Sequence, residues 1–163
     1  MDIGLAIVQF LHIGAGAAWF GGSLFANAVL LPYIARQGPE RQRELIGGVI
    51  LGPERVMIAA ALGAAVTGLL RGIVYGRIQS VDTLGTTYGI VWLAAILVAV
   101  AVFAVGGRVT SPAARALRDD DGAWDGGAEV RAGSLLTRVR LGFRLELTGI
   151  TVILALMAIL PRL

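Results

Sequence analysis

Apolar residues run almost without interruption through four stretches of this chain, and polar residues gather between them. The first stretch extends roughly from Ile3 to Ile34, with IVQFLHIGAGAAWFGGSLFANAVLL at its centre and Pro32 near its end. A second runs from about Ile46 to Tyr75, a third from about Leu84 to Gly107, and a fourth from about Leu141 to Leu160, where Pro161 supplies a stop. Each is long enough to cross a hydrocarbon core of about 30 Å. The pattern predicts an all-α integral membrane protein, a four-helix bundle whose neighbouring transmembrane helices are antiparallel. Residues 1–163 then form one four-span membrane domain, with spans at approximately 3–34, 46–75, 84–107 and 141–160.

The connections are polar. RQGPERQRE links the first two spans, and residues 108–140 read as a polar loop because they hold Pro112, Gly122, Gly126, Gly127 and the run Asp119-Asp120-Asp121. A short interfacial helix is expected within it, around Ala113 to Leu117. Small residues recur every four positions at Gly14, Ala18 and Gly22, with Ala17 and Gly21 beside them, and again at Ala60, Ala64, Gly68 and Gly72. Such stripes let helix backbones approach closely, within one chain or between copies in a homodimer or larger membrane complex.

Composition sharpens this picture. With 56% hydrophobic and 15% charged residues in 163, the chain has too little polar surface to hide four such runs from water, so membrane lipid is its first partner. Cysteine is absent, which excludes disulfides, thiolate catalysis and iron–sulfur ligation. The net charge of +3 does not indicate nucleic acid: every basic residue is Arg, set beside the membrane segments. Eleven arginines flank the first and third connections and only Arg71, Arg77 and Arg162 lie on the other side, which places the Arg-rich connections in the cytoplasm and both termini outside it. No basic n-region precedes the first span, so it is expected to be retained and not cleaved as a signal peptide.

Chemistry within the spans is sparse. His12 is the only histidine, well inside the first span, where imidazole needs a partner; it can ligate a haem iron, or it can be a polar residue satisfied by a neighbouring helix. Trp19 follows it by two turns on the same face. Alternating helix directions bring His12, Arg71, Tyr88 and Trp92 toward one another in the outer half of the membrane. There Arg71 can pair with a ligand carboxylate such as a haem propionate, Trp19 and Trp92 can pack against the ligand, and Tyr88 can donate a hydrogen bond. The alternatives are headgroup snorkelling for Arg71 and an interface belt or packed core for the aromatics. Asn27 and Glu146 form a second polar layer nearer the cytoplasmic side, with Glu146 paired to Arg144, Arg140 or a residue on another helix, or satisfied by a hydrogen bond from Asn27. Met57 and Met157 are thioether candidates in opposite halves of the membrane.

His12 through Gly22, HIGAGAAWFGG, followed by SLF and Pro32, resembles the first helix of the copper-resistance-D-like membrane proteins, a group similar to the HemJ-type protoporphyrinogen oxidases. TGLLRG at Thr67 to Gly72 and the four-span layout add to the resemblance. It implies a bacterial inner (cytoplasmic) membrane protein with haem b as cofactor, His12 as the metal ligand, and a bundle that handles electrons from a buried porphyrin. The chain departs from the oxidase pattern in having no lysine and no second histidine, and from copper carriers in having no cysteine. The expected function is therefore a small membrane haem-binding protein serving electron transfer or a redox enzyme. The competing expectations are a cofactor-free structural or assembly subunit and a copper or small-solute transporter.

Overall fold

The computed structural model describes residues 2–124 and 129–160. Four long helices account for most of them: α1 (Ile3–Ile34), α2 (Pro39–Ile73), α3 (Thr87–Asp119) and α4 (Glu129–Ile159). All four have helical stretches long and apolar enough to cross a membrane, and no strand occurs among the described residues. Gly126, Gly127, Pro161 and Arg162 lie outside the described residues.

Helix starts follow from local chemistry. The Asp2 carboxylate accepts from the Leu5 amide at 3.2 Å, and the Thr86 hydroxyl accepts from the Gly89 amide at 3.2 Å, so two of the helices begin on side-chain caps. Pro39 opens α2 at a position whose missing N–H costs nothing.

The helices outrun the spans expected from sequence, and most of the described part of 108–140, expected as a polar loop, is helical. Helix α3 continues past Gly107 to Asp119, and α4 begins at Glu129. Pro112 had the look of a helix breaker, yet the chain passes it by widening one turn to π geometry at Gly106–Thr110. Pro32 follows a π turn at Ala26–Leu30 in the same way. A proline ring collides with the carbonyl four residues back, and a wider turn just before it relieves the collision without ending the helix. The segment Ser111–Asp119 is amphipathic, burying Ala113, Ala114 and Leu117 while Arg115 and Arg118 stay exposed.

Register shows that neighbours are antiparallel. Gly4 faces Tyr75, Gly63 faces Ala15 and Gly22 faces Met57, so α1 and α2 run in opposite directions; Gly142 facing Thr110 and Gly149 facing Val102 do the same for α3 and α4. Helix α1 packs along α2 and α3 along α4, α1 also touches α4, and direct contact between α2 and the membrane half of α3 is sparse. The most deeply buried large side chains, Ile34, Ile46, Leu117 and Val139, all lie at the Arg-rich end. The two hairpins are thus fastened at that end and parted at the other. Phe10, Val56 and Leu97 project outward, as lipid-facing residues do.

The small-residue stripes divide between two uses. Ala60, Ala64, Gly68 and Gly72 pack inside the chain, but Gly14, Ala17, Ala18 and Gly21 are exposed, and a Cβ added at Gly14 or Gly21 would meet open space. Acidic residues at the Arg-rich end join elements: Asp121 pairs with Arg43 at 2.6 Å, Asp120 with Arg131 at 2.7 Å and Glu54 with Arg115 at 3.0 Å. These pairs are exposed enough to fix geometry more than to stabilise it.

The second polar layer forms, with Glu146 satisfied by another helix, one of its expected partners, and Asn27 by backbone carbonyls. Asn27 donates to the carbonyls of Ser23 and Phe143, each at 2.9 Å, which ties α1 to α4. Glu146 accepts from the Thr110 hydroxyl presented by the π turn of α3, and pairs with neither Asn27 nor an arginine among the described residues. Replacing Asn27 with Ala should destabilise the bundle by about 0.6–1.7 kcal/mol, the span measured for hydrogen bonds between membrane helices. Reversible unfolding in mixed micelles would read this; a variant indistinguishable from the parent would remove the tie between α1 and α4.

Candidate functional site

The parting of the hairpins leaves a cavity of about 400 Å³ in the half of the bundle away from the Arg-rich end. That is within the range of small-molecule and cofactor sites. All five residues singled out in the sequence, His12 and Trp19 on α1, Arg71 on α2, and Tyr88 and Trp92 on α3, line this one space. Antiparallel packing with matched register brings them together, as the alternating spans require.

His12 is held from one side. Its Nδ1 lies 3.0 Å from the Ala64 carbonyl oxygen and 3.2 Å from the Thr67 hydroxyl. A carbonyl only accepts, so Nδ1 carries the proton and donates, and the neutral ring keeps its lone pair on Nε2. The Thr67 hydroxyl donates in turn to the Gly63 carbonyl at 2.5 Å, which leaves its oxygen able to accept from the imidazole. Nε2 makes no hydrogen bond among the described residues. Gly68 is part of the arrangement, because a Cβ there would stand 3.0 Å from the imidazole Cε1.

Trp19 closes the cavity toward the Arg-rich end. Its indole stacks on Phe103 with ring centroids 5.7 Å apart, above a core of Ala61, Ala64, Val102 and Ile150. Trp92 works at the other end, where its indole lies against the bare backbone of Gly72 and bridges the gap between α2 and α3. A Cβ at 72 would occupy the space of that ring. The Arg77 guanidinium sits 5.5 Å from the centre of the Tyr88 ring, an attraction that steadies the aromatic at the cavity edge.

Arg71 is half-buried among these apolar walls, with no carboxylate within 4.0 Å and no side-chain hydrogen bond among the described residues. A guanidinium in such a place, near the end of a helix, is suited to an anionic group brought by a ligand. The site also holds Tyr75, whose hydroxyl lies against Gly4, and Phe103, neither of which the sequence singled out, along with Met157, one of the two thioether candidates. Met57 is elsewhere, packed on Gly22, so the two thioethers do not share a site. Register counting along α4 from Gly149 could have placed Met157 at the level of Trp92, but the pairing of α4 with α3 is invisible until the helices are packed.

Among the described residues no three His, Cys, Asp or Glu side chains gather as metal ligands. What the cavity can do is bind an apolar, flat or elongated molecule, offer it one imidazole lone pair, and meet its negative charge with Arg71. No protein-family model matches the chain, and neither the curated proteins nor the solved structures contain a significant match to it.

Proposed function

We propose that this membrane-spanning four-helix bundle is a small haem-binding protein that serves electron transfer or a redox enzyme, with haem b held in the cavity between the hairpins. The observation that carries the reading is the coexistence, in one apolar cavity, of an imidazole whose Nε2 lone pair is unclaimed and a half-buried guanidinium without a described partner. A haem-ligating histidine characteristically donates its other ring N–H to a backbone carbonyl or carboxylate, which fixes the tautomer and raises ligand basicity. Ala64 and Thr67 do this for His12.

The residues fit the group. His12 would ligate the iron, Trp19, Phe103 and Trp92 would pack on the porphyrin, and Arg71 with Tyr88 would hold its carboxylates. Haem supplies one-electron transfer when bound. The chain's own residues orient the imidazole, exclude water through the Trp19–Phe103 stack, and neutralise the ligand's charge. The resemblance of His12 to Gly22 to the first helix of the copper-resistance-D-like and HemJ-like proteins supports the same cofactor and a bacterial inner membrane. The arginine distribution supports a cytoplasmic Arg-rich end.

Detergent-purified protein should show a Soret band, or gain one with one-to-one stoichiometry when haem is supplied. A protein that neither retains nor takes up haem would end this reading. The open stripe of Gly14, Ala17, Ala18 and Gly21 favours a second role, that of an assembly subunit or homodimer joined through α1. Native mass spectrometry in mild detergent tests it, and a lone monomer without cofactor would count against both roles.

A further inference from the structure

A second concavity, of about 360 Å³, lies at the Arg-rich end between α3 and α4. Its lining is Val109, Pro112, Ala113, Ala116 and Leu135, with Arg108 on one wall and Arg138 on the other. Both arginines are exposed, and neither has a carboxylate within 4.0 Å among the described residues, whereas Arg43, Arg115, Arg118 and Arg131 nearby are all paired. The groove exists because Pro112 and the π turn at Gly106–Thr110 carry α3 onward as the amphipathic Ser111–Asp119 segment. That segment lays its small residues, Ala113 and Ala116, beside α4 where larger ones would fill the space.

We propose that this groove is a binding site for an anionic phospholipid, its acyl chain along the alanine, proline and leucine floor and its phosphate against Arg108 and Arg138. Three observations lead there. The groove combines an apolar floor with two guanidinium groups, the two chemistries that a phospholipid presents together. Both walls belong to membrane-spanning helices, and Arg108 lies near the end of the apolar part of α3, where lipid headgroups begin. Among the described residues Glu54, Asp119, Asp120 and Asp121 are committed to other arginines and Glu146 to the Thr110 hydroxyl, which leaves these two arginines for an outside partner. Basic pockets between transmembrane helices are recurrent headgroup sites. This site is distinct from the haem cavity, on the far side of the Trp19–Phe103 stack, and stands whether or not haem binds.

The test uses the full chain in a nonionic detergent, titrated with dioleoyl-phosphatidylglycerol or dioleoyl-phosphatidylcholine and read by native mass spectrometry. The anionic lipid should be retained preferentially, and the R108Q/R138Q double variant should lose that preference by about thirtyfold, given roughly a five- to sixfold contribution from each arginine. An R36Q/R55Q variant, with the same loss of charge elsewhere, should keep it. Ala116→Phe, which fills the groove but leaves both charges, should also weaken binding, and this keeps the site testable should the double variant fold poorly. Equal retention of the two lipids would overturn the proposal. So would an equal loss in R36Q/R55Q, no loss in Ala116→Phe, or displacement of the lipid by inorganic phosphate at matched concentration, which would mark a free-anion site.

Discussion

Replacing His12 with alanine should abolish haem retention while leaving the bundle folded, the largest functional effect expected of any single substitution. The chain has no other histidine, so no second imidazole can take its place. Its removal should cost more than the about 10- to 100-fold that follows loss of an outer partner of a metal ligand. That lower figure is the expectation for Thr67→Val, which keeps side-chain shape and the Ala64 contact but deletes one of two acceptors for Nδ1. Folding should survive His12→Ala because the ring is only half-buried and its carbonyl partner belongs to an intact helix. The measurement is a haem titration followed at the Soret band for parent and both variants. An unchanged spectrum in His12→Ala would remove the ligand assignment. Equal losses in both variants with reduced helicity would point instead to a structural imidazole.

The four-helix architecture was legible because lipid imposes a strong constraint: a spanning segment must be apolar for about twenty residues and must satisfy its own backbone. The convergence of His12, Arg71, Tyr88 and Trp92 followed from alternating direction alone. What misled was proline. Pro112 read as loop, because sequence rules treat proline as a terminator, and a π turn that lets a helix continue leaves no compositional mark, whereas the Asp119–Asp121 run does mark the end of α3. The partners in the second polar layer were hidden for a related reason. The π turn brings Thr110 to Glu146, and rotation of α1 against α4 sets Asn27 on the Phe143 carbonyl, where two polar side chains in one layer had suggested a direct pair. The small-residue stripe of α1 was likewise ambiguous, since its residues pack equally well on a neighbour in the chain or on another molecule, and only the observed packing separates Gly22 from Gly14 and Gly21.

The asymmetry of the bundle makes a sharp contrast between two glycines. At Gly142 an added Cβ would collide with the Thr110 hydroxyl and stand 3.1 Å from its Cβ and 3.4 Å from its Cα. A backbone atom cannot rotate aside, so Gly142→Leu must push α3 from α4 in the tightly packed end and disturb the hydrogen bond to Glu146. Overpacking of this kind costs about 1–3 kcal/mol and more where the neighbour is rigid, so Gly142→Leu should be less stable than Asn27→Ala, His12→Ala or Thr67→Val. At Gly72 the collision is with the Trp92 indole, a side chain that borders a cavity of about 400 Å³ and has room to swing into it. Gly72→Leu should therefore stay folded yet lose haem, because the displaced indole and the new side chain fill the ligand's space. Unfolding in mixed micelles together with a haem titration separates the two effects. If Gly72→Leu unfolds as readily as Gly142→Leu, the open end is as rigid as the closed one, and the cavity is not the adaptable space on which ligand binding depends.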